Sequence, residues 1–446
     1  MKDIAQLARD LADGRSTSEA LVTQALVRIE EHRAAGGVAY ISVDAQGALL
    51  AARASDLARA SGYVPSPLAG LPVSIKDLFD VAGQVTASGS SLLADAPQAS
   101  DDAVVVQRLR AAGAILLGRT NMSEFAFSGL GLNPHYGTPL TPCATQRIAG
   151  GSSSGAAVSV ALDMAVAGLG TDTGGSIRIP AAFCNLTGFK PSASRVPQTG
   201  TFPLAPSLDS IGALTRSVAD SILLDRVLSG EQLDTRKPPL AGLRLAVTRD
   251  FVLDQLDACV AGAFERSLGL LAAAGASLRW VGFPELPGVP RVNAAGGLTA
   301  AEAWQGHRHW LEGDDAHKYD ARVAQRIRRG AAIGAADYLD TQAERQRLIS
   351  VARERLGDAD AWLMPSVAVV PPTLADLADD ESFFATNGLV LRNTSVINFL
   401  DGCALSLPCQ LAEELPVGLS IAGLHGQDAR VLQVSRAVEA LLRGNA

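Results

Sequence analysis

The stretch AGGSSSGAAVSVALDMAVAGLGTDTGGSIRIPAAFC, residues 149–184, decides the architecture. Residues 154–164 are small and apolar at helical spacing, 165–169 form a short apolar run of strand type, and 176–184 turn helical again. A Gly/Ser segment precedes each helix: Ala149-Gly-Gly-Ser-Ser-Ser-Gly155 and Gly170-Thr-Asp-Thr-Gly-Gly-Ser176. A flexible linker would not run straight into an apolar helix start, so these segments read as tight loops inside a packed core. The same alternation continues outward. Residues 3–12, 17–35 and 46–60 repeat apolar side chains three and four apart, with Ser16 or Thr17 placed to cap the second helix. Leu71-Pro-Val-Ser-Ile-Lys-Asp77 reads as a strand ending in charge, 101–112 as a helix stopped by Gly113, and 114–118 as a buried strand. Further on come a strand at 243–248, a helix at 258–274, strands at 362–365, 404–408 and 417–422, and a helix at 430–442. Strands alternating with helices predict an α/β fold: one large domain whose mixed, mostly parallel central sheet is covered by helices on both faces.

Composition agrees. Of 446 residues, 48% are hydrophobic and 19% charged, enough for a large core. Lys plus Arg number 38 against 46 Asp plus Glu, a net charge of −8, and no basic block argues for nucleic acid. The longest apolar candidate, residues 155–170, contains Asp163, so no membrane span is expected. The first residues, MKDIAQLARDLADG, carry acids where a signal peptide needs an apolar core, and a cytoplasmic protein is expected. Cysteines 143, 184, 259, 403 and 409 are scattered and form no C-x-x-C pair, which disfavours disulfides and structural zinc. His307 and His309 form an H-x-H beside Trp304 and Trp310, but no H-E-x-x-H accompanies them, and a polar helix face is the simpler reading. Domain organisation is read as 1–446 in one unit, with N-terminal helices over 1–65, a catalytic region over 66–225 and a helical, cap-like segment over about 285–357.

Three chemistries compete for the two loops. A phosphate loop needs G-x-x-x-x-G-K-[ST], and neither loop supplies the lysine. A nucleophile elbow needs G-x-S-x-G, which Gly151-Ser-Ser153-Ser-Gly155 matches; it also needs a preceding strand and a later acid and histidine. CATQRIA, residues 143–149, makes a poor strand, and His425 is the one tempting late histidine. The third chemistry is a serine nucleophile served by a lysine base. Lys76 is the candidate, at a strand end among Val73, Ile75, Leu78 and Phe79. A lone lysine there ordinarily snorkels to water. To act as a base it must be neutral, and lowering its pKa by about three units costs roughly 4 kcal/mol, so the site must be dry.

These residues resemble the amidase signature family. The match includes Gly70-Leu-Pro-Val-Ser-Ile-Lys-Asp77, Gly118-Arg-Thr-Asn-Met-Ser-Glu-Phe125, both Gly/Ser loops, Gly188-Phe-Lys-Pro191 and Asp209-Ser-Ile-Gly212, with Asn398, Leu405-Ser-Leu-Pro408 and Pro416-Val-Gly-Leu419 similar to later strands. The resemblance implies a single α/β domain and a serine amidohydrolase that needs no metal and no cofactor. It implies Ser176 as nucleophile, Ser152 as bridging serine with a cis bond to Gly151, and Lys76 as base. Backbone N–H groups of Thr173, Gly174, Gly175 and Ser176 would form the oxyanion hole. Asp172 and Arg178 would hold the loop, against the alternative of a surface ion pair. Ser153 and Ser154 either support Lys76 or cap the helix, and capping is the expectation for Ser154. Phe125 and Ala126 are candidates for an acyl pocket.

The resemblance leaves the substrate open beyond a small amide. Carbamates (a urethanase activity), esters and urea-like compounds use the same acyl-enzyme route. The amidotransferase that acts on glutamine and charged tRNA has its amidase component in the same family, and that component works with partner chains. Its glutamine-handling members carry an acid shortly before the motif at Asn398, where Leu391 or Arg392 stands here, which disfavours glutamine. No nucleic-acid or membrane partner is expected; a homodimer is the assembly considered.

Overall fold

The computed structural model describes residues 2–444. Its centre is one sheet of 11 strands: β1 (Tyr40–Val43), β2 (Pro72–Lys76), β3 (Ile115–Thr120), β4 (Ala167–Asp172), β5 (Thr187–Lys190), β6 (Ser210–Thr215), β7 (Arg244–Val247), β8 (Ser277–Trp280), β9 (Ala361–Pro365), β10 (Cys403–Pro408) and β11 (Gly418–Gly423). Their order is β1-β3-β2-β4-β6-β5-β10-β11-β9-β7-β8. The sheet is mixed, as expected, but not mostly parallel. Four pairings are parallel (β2–β3, β2–β4, β7–β8, β7–β9) and six antiparallel among the described residues. The antiparallel centre is built from β5, β6, β10 and β11. The connection between β10 and β11 is too short for a crossover helix, and only an antiparallel pair can be closed that way.

Both faces are buried because successive strand residues point to opposite sides. Ile211 and Ala213 of β6 join one apolar cluster and Leu214 the other. Leu245 and Val247 of β7 face one side while Ala246 faces the other with Trp362 and Met364. The helices Ile4–Ala12, Val104–Ala111 and Val218–Ser229 cover one face of the first half, and Ser18–Ala34, Ala45–Ala60 and Ser154–Ala161 the other. The segment expected as a cap contains the helices Gly288–Val292, Gly297–Leu311, Ala321–Arg328 and Ala335–Leu356, whose apolar sides enter the same clusters. No helix among the described residues is long and apolar enough to cross a membrane.

Two features position the site. β2 and β4 run parallel with Ile75 level with Leu169, so their carboxyl ends finish side by side. The long helix Asp380–Phe399 carries Leu391, Thr394 and Asn398 to the loop that follows β4.

Candidate active site

Lys76 ends β2 and Thr171 lies near the end of β4, so adjacency of the strand ends brings them together. Lys76 Nζ donates to Thr171 Oγ1 (2.8 Å) and to Ser152 Oγ (2.8 Å). The lysine is completely enclosed, at 0% exposure, and forms no ion pair among the described residues. Burial pushes its pKa down to about 7, against the weaker upward pull of Asp209 and Asp172. Thr171 belongs to the second Gly/Ser motif, but nothing in that motif gives it a role; the parallel register of β2 and β4 is the signal that identifies it.

The loop before the helix Ser154–Ala161 presents Ser152. The Gly151–Ser152 peptide bond is cis. Gly151 packs against Gly131, where a Cβ would lie 2.6 Å from the Gly131 nitrogen, so only glycine fits. Ser153, not Ser154, occupies the N-cap position of that helix, without a side-chain cap bond. Ser153 Oγ reaches the Thr171 carbonyl (3.4 Å) and Ser154 Oγ the Asn121 carbonyl (3.4 Å), so Ser154 does not cap the helix and neither hydroxyl touches Lys76. Ser153 is buried, and the residues before Gly151 form isolated bridges rather than a strand. His425 instead pairs with Asp401 (3.0 Å). Because Ser153 Oγ bonds the Thr171 carbonyl and no histidine, and no strand precedes it, no elbow constellation is formed among the described residues.

The second loop is held by a buried ion pair. Asp172 and Arg178 are both at 0% side-chain exposure, with Arg178 Nη2 2.8 Å from Asp172 Oδ1 and Nε 3.0 Å from Oδ2. The surface alternative is thereby excluded. Asp172 also accepts from the amides of Gly175 (2.9 Å) and Ile177 (3.2 Å) and from Asn398 Nδ2 (2.9 Å). Burial opposes its ionisation, but Arg178, Lys190 and Asn398 outweigh that and hold its carboxyl well below the usual range. Arg178 reaches further, to the Thr394 carbonyl (3.0 Å) and Asn398 Oδ1 (2.5 Å). Thr394 Oγ1 donates to the Gly174 carbonyl (2.6 Å). Gly175 has φ +136°, and a Cβ there would sit 2.2 Å from Thr394 Oγ1. The helix expected from Ser176 begins at Arg178, because Ser176 and Ile177 remain in this anchored turn.

The turn frees three of the four expected oxyanion donors. The Gly175 amide is committed to Asp172, which leaves those of Thr173, Gly174 and Ser176. Thr173 is fixed by its hydroxyl, which donates to buried Asp209. Asp209 also accepts from the Leu204 and Ala205 amides (3.0 and 3.1 Å), and burial raises its pKa to about 6. The backbone ties the two loops together through Ser153 N and Ser176 O (3.2 Å). No hydrogen bond joins the Ser152 and Ser176 hydroxyls among the described residues.

A cleft of about 280 Å³ opens on Thr173, Gly174 and Ser176 and is walled by Leu204, Leu208, Phe251, Leu391 and Phe399. Ala126 lines it together with Phe127 and Ser128. Phe125 does not; its ring is buried behind, 4.5 Å from the His307 ring and 5.3 Å from that of Tyr319. The cause is the left-handed backbone at Phe125 and Ala126 (φ 49° and 60°), which turns the chain between them. His307 lies inside this aromatic cluster with Nδ1 on Tyr319 Oη (2.9 Å), while the His309 ring packs, tilted, against Trp310. Among the described residues, no group of three or more His, Cys, Asp or Glu stands close enough to hold a metal ion. A larger groove, about 1310 Å³, borders Cys143, Arg266 and Glu414 and includes none of the expected site residues.

The fold and the comparisons with known proteins make this a hydrolase of carbon–nitrogen bonds. The chain belongs to the amidase family, whose model matches residues 20–432. Among curated relatives, the 2-amino-5-chloromuconic acid deaminase of Comamonas testosteroni is 36% identical over 414 residues, covering 91% of this chain and 88% of that protein. The A component of the glutamyl-tRNA(Gln) amidotransferase of Acidobacterium capsulatum is 33% identical over 478 residues, covering 97% and 98%. The crystal structure of an amidase superimposes with a TM-score of 0.90 at 35% identity, covering 99% of this chain and 100% of that one.

Proposed function

We propose that the protein cleaves the C–N bond of a small amide with Ser176 as nucleophile, Ser152 as proton relay and Lys76 as base. The observation that carries this reading is the enclosed Lys76, hydrogen-bonded to Ser152 Oγ at 2.8 Å with its pKa brought down to about 7. A neutral lysine takes the Ser152 proton as Ser152 takes that of Ser176. That second transfer requires the two hydroxyls to come within hydrogen-bonding distance of each other. Ser176 Oγ attacks the amide carbon, and the amides of Thr173, Gly174 and Ser176 receive the developing oxyanion. The relay then returns the proton to the nitrogen, the C–N bond breaks, and an amine departs, leaving an acyl ester on Ser176. Water repeats the attack and releases the acid.

Carbamates and esters present the same carbonyl to this machinery, so urethanase and esterase activities belong in the substrate screen. The reading as the glutamine-hydrolysing component of a tRNA amidotransferase has less support, because Leu391 and Arg392 line the cleft and, among the described residues, no carboxylate does. The deaminase relative's name adds a second C–N substrate to test, an amino-substituted acid. All five cysteines are free, which supports a reducing, cytoplasmic setting. The test is release of ammonia or amine from a panel of small amides by wild type, Lys76→Met and Ser176→Ala. Turnover near wild type in either variant would contradict the assignment.

A further inference from the structure

Among the described residues, the cleft is lined by three arginines, Arg326, Arg329 and Arg392, and by no aspartate or glutamate. None of the three forms an ion pair among the described residues. Their backgrounds differ. Arg392 is spent on protein acceptors: Nε donates to Asn393 Oδ1 (2.9 Å), Nη2 to the Val252 carbonyl (3.2 Å) and Nη1 to the Asp254 carbonyl (2.5 Å). Arg329 donates from Nη2 to the Ala294 carbonyl and is exposed. Arg326 is the one that is poised. Its guanidinium lies 4.4 Å from the Phe127 ring centroid, and Nη1 donates to the Phe127 carbonyl (2.6 Å). This leaves the Nε–Nη2 edge, the pair of parallel donors that matches a carboxylate, without a partner among the described residues. Burial and the neighbouring charge of Arg329 bring its pKa down to about 10, which still leaves it a cation at neutral pH. A partly buried cation with no counter-ion is costly unless a ligand supplies one.

We propose that the substrate is an anion: an amide whose acyl part carries a carboxylate, received by the free edge of Arg326, with Arg329 and Arg392 adding positive field at the cleft. The proposal rests on the assignment of the hydrolytic chemistry to Ser176, which lines the same cleft. The cleft, about 280 Å³, suits a small acyl part. A substrate with an ammonium group meets three guanidinium groups and no carboxylate, so amino-acid amides are poor substrates.

The test compares the monoamides of malonic, succinic, glutaric and adipic acids with their neutral methyl esters, following ammonia release by the whole protein. At least one monoamide should exceed its own ester in kcat/KM by roughly tenfold or more, the size of a charge-assisted hydrogen bond. Arg326→Met should collapse that ratio chiefly through KM, and Arg326→Lys should restore part of it. Binding of the four dicarboxylates to Ser176→Ala, measured by calorimetry, gives a readout independent of turnover and should be lost in Ser176→Ala/Arg326→Met. If a dicarboxylate binds but wild type releases no ammonia from any amide, the hydrolase assignment fails and the anion site stands. If the esters are cleaved as well as the monoamides, or if no dicarboxylate binds Ser176→Ala, the anion site is overturned.

Discussion

Replacing Lys76 with methionine separates the catalytic role of the lysine from the cost of burying it. The group falls from its ordinary 10.5 to about 7 because it is enclosed. The corresponding difference between its protonation states is about 5 kcal/mol, at 1.36 kcal/mol for each tenfold step. The folded protein releases this proton near pH 7, whereas the unfolded chain holds it to about 10.5. Between those values the unfolded state binds more protons, so stability rises with pH. Below pH 7 both states are protonated, and the folded state bears the full cost of an enclosed charge. Lys76→Met should therefore be more stable than wild type at pH 5.5, by up to about 5 kcal/mol, with the gap shrinking as pH climbs from 7 toward 10.5. Urea titrations at several pH values measure this directly. Activity gives the companion result. If only neutral Lys76 works, kcat/KM for the wild type rises through a midpoint near pH 7, falling about fiftyfold from pH 7 to pH 5. A stability gap independent of pH, or a flat rate profile from pH 5 to 9 with chemistry rate-limiting, would refute the reasoning.

Other outcomes follow from the same geometry. Arg178→Met leaves Asp172 enclosed and unpaired and should cost about 3–5 kcal/mol, read as a lowered urea midpoint, with loss of activity as the Ser176 turn relaxes. Thr171→Val removes one of the two acceptors of Lys76; it should lower kcat/KM up to about tenfold and move the rate midpoint to lower pH, since a bond that favours the ammonium is gone. Gly175→Ala forces a side chain against Thr394 Oγ1 at a left-handed position, and should abolish turnover while circular dichroism stays native.

Much of this is legible in the chain. The helices of the first and last segments follow from their apolar spacing; Lys76 is picked out by its strand end beside two Gly/Ser loops, and Ser152 and Ser176 are picked out by the family resemblance those stretches carry. Other features leave little trace in a linear reading. Thr187–Lys190 and Ser210–Thr215 are short, glycine-containing strands that become strands only by pairing with each other and with β4 and β10, so the antiparallel centre of the sheet has no local signature. The Asp380–Phe399 helix mixes Asn, Thr and Ser with apolar residues, because its buried polar side chains serve Asp172 and the Ser176 loop rather than a uniform apolar face. Phe125 reads as a pocket residue from its position, but its left-handed backbone directs the ring inward. The commitment of the Gly175 amide to Asp172 is a matter of local turn geometry and the free edge of Arg326 a negative fact, and no motif records either.

The most direct test of the central claim is covalent labelling with a fluorophosphonate at neutral pH, followed by peptide mass mapping. The assignment predicts a single adduct, on Ser176, that is formed by wild type and suppressed in Lys76→Met. An adduct on Ser153, or equal labelling of Ser176 without the lysine, would contradict it.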